Sequence, residues 1–329
     1  MVLWGCDYIV TNQKLNQIAE QLNKSNEYRV IRKYIKPEFY NDESISSNTK
    51  RIGVFLDVES TGLSYSNNKL IELGMVKFEY TEDGRIFRLL DEFNGYQDPK
   101  VSIPEYITKL TGITNDMVVG QHIDERKVTD YLHEVDLVIA HNAQFDRAFF
   151  ETTFPNTPPK AWACSMSDIH WKDEDISSFK LEYIAYRYNF FYEGHRAIVD
   201  CLAGIHILSQ TLHVSKELVL KSLLDNSLQL RFLLWAVNSP YDCKELLKER
   251  GYRWMTRADN DIKAWCIESP EDEVSAEIKY LRSDIYKKPF DIPIEIFDSC
   301  NRFSIKKDAA KNLKYEDKIL WAKTLCKEH

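Results

Sequence analysis

The stretch "RIGVFLDVESTGL", residues 51–63, decides how the rest of the chain is read. Val54, Phe55, Leu56 and Val58 are packed closely enough in sequence to predict a buried strand. Two acids interrupt the run. Asp57 and Glu59 lie two residues apart, a spacing that puts both on one face of a strand. Like charges so close in a buried strand resist ionising together. Two readings follow. Either one carboxylate reaches water at the strand end, or a divalent cation lies between them and turns repulsion into ligation. Thr61-Gly62 then supplies a tight turn where a ligand can approach the backbone.

Working outward, "LIELGMVKFEY" (70–80) and "RIFRLLDEFNGY" (85–96) predict two more strands joined by the turn "TEDG". Short helical pieces follow in "EYITKLTGI", "NDMVV" and "VTDYLHEV". The apolar "DLVIA" (136–140) predicts a strand, and "NAQFDRAFFETTF" (142–154) an amphipathic helix. "KLEYIAYRYN" and "RAIVDCLAGIHILSQTL" predict two further helices. A three-strand meander followed by alternating strands and helices argues for an α/β fold with a mixed sheet flanked by helices.

Both flanks look different. Residues 1–50 read as an N-terminal extension and linker: a helix in "QKLNQIAEQLNKS" with Leu15, Ile18, Ala19 and Leu22 on one stripe, a strand candidate in "EYRVIRKYI", and the polar "NDESISSNTK". Residues 226–290 read as a small α+β module, with strands in "LQLRFLLWAVN", "YRWM" and "IKAWCIE" and helices in "YDCKELLKERG" and "EDEVSAEIKYLRSDIY". Trp254 and Trp265 are expected to fill its core. From residue 291 to 329 a weakly patterned tail is expected, containing "IEIF" and a candidate docking helix in "KNLKYEDKILWAKTLCKEH".

The bulk numbers narrow the classes. The chain has 329 residues, 44% of them hydrophobic and 29% charged, an ordinary globular composition. A net charge of −8 argues against a general nucleic-acid coat protein, while leaving room for an enzyme that handles nucleic acid through cations and a local groove. Seven dispersed cysteines, with no pair at CxxC spacing, argue against a zinc cluster and for reduced thiols. With no leader pattern or membrane-length apolar run, a cytoplasmic protein with no membrane attachment is expected.

Three more residues bear on the paired acids. Asp146, just inside a helix that follows an apolar strand, complements the helix dipole if read alone. Asp200 sits among Ala197, Ile198, Val199, Cys201 and Leu202, so its carboxylate needs a partner, either a structural hydrogen bond or a ligand. His195, five residues earlier and next to Gly194, fits the loop entering that helix, as a surface cap or as a catalyst. Together, "DVESTG", "HNAQFD" and "HRAIVD", with "KLTGIT" between the first two, resemble the motifs of the DEDDh family of 3′-to-5′ exonucleases, which includes the proofreading (epsilon) subunit of bacterial replicative DNA polymerase. Ser60 stands where many members have threonine, and "ACSMSD" lacks an acid that relatives often carry near Cys164. Further similarity, in "YRVIRKYI", "KAWACSMSDIHW" and "LKERGYRW", is to bacterial exonuclease-domain proteins with an extra C-terminal module.

The resemblance implies an exonuclease domain over 51–214 with a ribonuclease H-like, mixed five-stranded sheet flanked by helices. It implies that Asp57, Glu59, Asp146 and Asp200 hold two divalent cations, Mg²⁺ or Mn²⁺, and that His195 is the general base. It further implies that Ser60, Thr61, Gly62 and Leu63 meet the terminal nucleotide and that His141 and Asn142 line the same cleft. The implied partner is a nucleic-acid 3′ end, DNA ahead of RNA. Several relatives pair as dimers, so a homodimer is open; no polymerase partner is evident. The competing functions are an RNA-trimming, oligoribonuclease-like enzyme and a catalytically silent nucleic-acid-binding protein on the same fold.

Overall fold

The computed structural model describes residues 12–42, 49–256 and 263–306. In chain order the N-terminal part holds helix α1 (Asn12–Asn23) and the two-residue strand β1 (Arg32–Lys33). The central part holds β2 (Arg51–Ser60), β3 (Leu70–Tyr80), β4 (Ile86–Tyr96), α2 (Glu105–Thr111), α3 (Asn115–Val118), α4 (Glu125–Leu132), β5 (Leu137–Ala140), α5 (Ala143–Thr153), β6 (Ala161–Cys164), α6 (Leu181–Arg187), β7 (Phe190–Phe191), α7 (Ala197–Leu208) and α8 (Val219–Ser227). The last part holds β8 (Arg231–Ala236), α9 (Lys244–Glu249), β9 (Arg253–Thr256), β10 (Lys263–Pro270), α10 (Val274–Tyr280) and β11 (Ile294–Phe297).

The central sheet has the order β4-β3-β2-β5-β6. β2, β3 and β4 form the antiparallel meander, while β5 runs parallel to β2 and β6 parallel to β5. This is the mixed five-stranded, ribonuclease H-like arrangement. Its fifth strand, β6, comes from "AWAC", a run too short to stand out among its neighbours.

Strand alternation splits the core into two layers. Val54, Leu56 and Val58 face the layer with α4 and α5, beside Phe149, Phe150 and Trp162. Phe55 faces the opposite layer, with Ile184 of α6, Cys201 and Ile205 of α7 and Leu220 of α8. Asp57 and Glu59 share Phe55's parity, so they belong to the α7 face. Two glycines let α7 lie close to the sheet. A Cβ on Gly204 would stand 2.2 Å from the Phe55 ring, and one on Gly74 would stand 2.5 Å from the Ala197 backbone.

β2 outruns β5. Their pairing covers only Gly53 to Phe55, so the far end of β2 has an open backbone edge on that side. That gap, at the carboxyl ends of two neighbouring parallel strands, is where α/β sheets place their sites.

The last part forms a second sheet, ordered β11-β8-β10-β9 and antiparallel throughout. Three expectations change here. "IEIF" is not tail but strand β11, with Ile294 opposite Leu234, because its apolar residues complete the layer of Phe232, Leu234 and Val274. The helix expected over 271–286 is α-helical only as α10 and continues as a π-turn at Leu281–Ile285. Trp254 does not fill the core: it is 56% exposed on edge strand β9, set edge-on against Trp265 at 5.5 Å.

Residues after β11 brace the central domain. The Trp162 N–H donates to the Ser299 carbonyl, and the buried Arg147 donates to the carbonyls of Cys300 and Arg302 and to Glu151. In the N-terminal part, β1 pairs with β7, and Tyr34 and Tyr40 pack their rings on His206 of α7. The α1 stripe is present, yet Leu15 and Ile18 are exposed. The linker residues 43–48, most of the turn "TRADND" and the docking helix expected after Lys306 lie outside the described residues. Among the described residues no helix is long and apolar enough to cross a membrane, and Cys164, Cys201, Cys243 and Cys266 are in no disulfide.

Candidate active site

Three elements bring the acids together. β2 presents Asp57 and Glu59 to the α7 face, and the first turn of α7 presents Asp200. Carboxylate oxygens of these three lie within 4.8 Å of one another. Asp146, from the first turn of α5, reaches the open edge of β2, where its Oδ1 accepts the Val58 N–H at 3.2 Å. It is buried, at 3% exposure.

These carboxylates face one another with little compensation. Burial pushes Asp57 well above the usual carboxylate range, and Asp146, Asp200 and Glu59 add to the effect. Burial first, then Asp200, Glu72 and Asp146, raise Glu59 to about 8. Burial lifts Asp146 to about 7 against the N–H bond from Val58. Burial lifts Asp200 to about 6, opposed by the Arg196 N–H and the Tyr192 hydroxyl that it accepts at 3.1 Å each. Carboxylates that resist joint ionisation hold protons in the absence of a cation, and a hard dication between them lets them ionise together. The donor set, oxygen only, fits Mg²⁺ or Mn²⁺. Asp57, Glu59 and Asp200 would hold such a cation, with Asp146 alongside.

His195 stands on the loop before α7, with its backbone in the left-handed region at φ 65°. Its Nε2 lies 3.3 Å from Glu182 Oε1, and both side chains are about half exposed.

The turn after β2 is built by its own polar atoms. Ser60 Oγ donates to the Gly62 carbonyl at 2.6 Å, and Thr61 Oγ1 accepts the Lys69 N–H at 3.0 Å. Ser60 and Thr61 are buried, so they shape the turn. A Cβ on Gly62 would stand 2.7 Å from the Asn68 amide, so the Asn68 side chain would have to move to admit one. Leu63 is 88% exposed, so it is no part of the core. Asn142 is exposed at the N-terminus of α5 and its carbonyl accepts the Asp146 N–H.

His141, expected to line the cleft, is half-buried with its polar atoms turned inward. Both ring nitrogens are engaged inside the protein, Nδ1 with Ser165 Oγ at 2.9 Å and Nε2 with the Phe179 carbonyl at 2.6 Å. Burial lowers it to about 4, against the bond to the carbonyl. It is a neutral brace between β5 and the chain that leads into α6.

Glu72 was not singled out by sequence motif. It is fully buried on β3, in register with Glu59, and is bound by Arg196, Ala197 and Asn94. The signal was a lone acid in the apolar "LIELGMV", which strand pairing puts on the face that holds Asp57 and Glu59.

Residues 54–208 match the RNase T family model, described as exonuclease. The chain is 34% identical over 170 residues to the PolC-type DNA polymerase III of Clostridium perfringens (strain 13 / Type A), covering 50% of this chain and 11% of that protein. It is 29% identical over 241 residues to the PolC-type enzyme of Caldanaerobacter subterraneus subsp. tengcongensis, covering 67% of this chain and 16% of that protein. The chain thus spans a small fraction of the length of these curated relatives. Among solved structures, a full-length 3′-exonuclease superposes with a TM-score of 0.42 at 20% identity, covering 54% of this chain and 66% of that one. Exonuclease I superposes at 0.44 and 12% identity, covering 84% and 71%. Residues 54–208 are an exonuclease domain of the RNase T family, consistent with the DEDDh resemblance.

Proposed function

We propose that the chain is a divalent-cation-dependent 3′-to-5′ exonuclease that releases nucleoside 5′-monophosphates from DNA in the cytoplasm. The observation that carries this reading is the meeting of Asp57, Glu59 and Asp200 within 4.8 Å, inside a domain of an exonuclease family. The named relatives are DNA polymerases, which makes DNA the first substrate to test.

Two divalent cations held by Asp57, Glu59, Asp146 and Asp200 would neutralise charge on the scissile phosphate and make water more acidic. The protein's own residues supply the rest. His195, whose Nε2 lies 3.3 Å from Glu182 Oε1, takes the proton of the attacking water on a ring nitrogen that carries none. The new P–O bond forms as the bond to the 3′ oxygen breaks. The turn Ser60–Gly62 shapes the floor for the terminal sugar, and the exposed Leu63 offers an apolar surface to its base.

The test is hydrolysis of matched DNA and RNA oligonucleotides with Mg²⁺ and then with EDTA, and Asp57→Ala as control. Mononucleotide release that needs the cation and Asp57 is expected. Equal cleavage with EDTA, or none on any substrate, overturns the reading.

A further inference from the structure

We infer that Glu72 is a positioning residue for His195, acting through Arg196 and Ala197; the inference rests on the exonuclease reading above. Glu72 is 0% exposed, and four donors converge on its carboxylate. Oε1 accepts from Asn94 Nδ2 at 3.1 Å and from Arg196 Nη2 at 3.1 Å. Oε2 accepts from the Ala197 N–H at 3.1 Å and from Arg196 Nε at 3.3 Å. Glu72 shares a sheet face with Asp57 and Glu59, so a fifth cation ligand is the obvious rival role. Each of its oxygens already accepts two donors, one of them a guanidinium N–H, whereas each Asp200 oxygen accepts one.

What Glu72 holds is the segment that carries the base. Arg196 follows His195 directly, and Ala197 is the first residue of α7. On the other side of His195, Tyr192 is tied to Asp200 through its hydroxyl. Arg196 is held a third time, by Tyr96 Oη at 2.5 Å. The approach of α7 to β3 is as close as Gly74 allows. Between these anchors His195 keeps a left-handed backbone, a conformation that strains a non-glycine residue and persists only where the surroundings enforce it. Glu72 anchors that loop on its α7 side, through Arg196 and the Ala197 N–H. Without it, the loop relaxes and the imidazole leaves its place beside the acids, while Asp57, Glu59 and Asp146 stay on their own elements.

The experiment is a mutant cycle on the full chain with a DNA oligonucleotide at saturating Mn²⁺. Glu72→Gln puts a donor where a donor must be accepted; kcat is expected to fall about 10- to 100-fold with KM within about threefold. In a His195→Ala background the same change is expected to cost less than about threefold more, because the group it serves is gone. Arg196→Lys keeps the charge and loses the two-pronged contact, so it tests the same chain of contacts should Glu72→Gln fail to fold; a smaller loss, again absent without His195, is expected. Calorimetric Mn²⁺ affinity within about threefold of wild type is expected in both variants. Losses that multiply with His195→Ala, or Mn²⁺ affinity that collapses, overturn the positioning role. A wild-type chain that releases no mononucleotide overturns the exonuclease reading itself and this inference with it, whereas an active wild type with multiplying losses overturns only the inference.

Discussion

Two regions of the molecule bury acids, and they treat them in opposite ways. In the C-terminal sheet module, Glu277 of α10 is buried at 7% exposure, receives Arg250 Nε at 2.9 and 3.0 Å, and accepts the Tyr252 hydroxyl at 2.6 Å. That carboxylate is fully answered and serves the fold. At the end of β2, Asp57, Glu59, Asp146 and Asp200 answer one another only with repulsion, eased by a few N–H and O–H donors. Folding alone gives no reason to keep that second arrangement. A site that recruits cations does. The contrast also sorts Glu72, which lies beside the cluster yet is answered like Glu277.

The comparison can be broken most sharply at its two centres. Asp57→Asn is expected to lower mononucleotide release by about 10³-fold or more, the scale of losing an essential catalytic group. The same change removes a repelling charge, so the metal-free melting temperature is expected to rise. A drop in both activity and metal-free stability would place Asp57 with the structural acids. Glu277→Ala is expected to do the reverse, costing about 2 kcal/mol of stability in denaturant titration and leaving kcat within about twofold. Loss of activity at unchanged stability would make Glu277 a functional residue instead.

A pH series sharpens the same contrast. The site acids have folded-state pKa values raised to about 6 for Asp200, 7 for Asp146 and 8 for Glu59. Their unfolded counterparts ionise first, near ordinary carboxylate values. Protonation therefore favours the folded state, and that stability is present in full below about pH 4 and drains away as pH rises through 6 to 8. Metal-free melting temperature is expected to fall across this window, and added Mg²⁺ to restore it. A flat metal-free profile would mean the acids are already neutralised by something else. The smallest effect belongs to Leu63. Leu63→Ala removes about 1 kcal/mol of apolar contact with the terminal base, which raises KM about fivefold and leaves kcat and melting temperature alone.

The strands of the meander were legible because Val54 to Val58 and Leu70 to Phe78 show long, unmistakable apolar runs. The meeting of Asp57, Glu59 and Asp200 was legible because the motifs that carry them occur in one order. What was missed depended on long-range pairing. β1 exists as two residues only because β7 lies beside it, and β6 is four residues wedged between a proline-rich turn and the next loop. "IEIF" became a strand only because β8 offered a free edge. Glu72 needed the register of β2 with β3, which sequence spacing does not carry. The bonds of His141 were hidden for the same reason: Ser165 and Phe179, which hold both its nitrogens, lie 24 and 38 residues away.

Calorimetric titration of Mn²⁺ into the metal-free chain, wild type beside Asp57→Asn, tests the central idea most directly. Saturable binding in the wild type, abolished or weakened at least about tenfold in the variant, is the predicted result. No binding to the wild type, or equal binding by both, would contradict it.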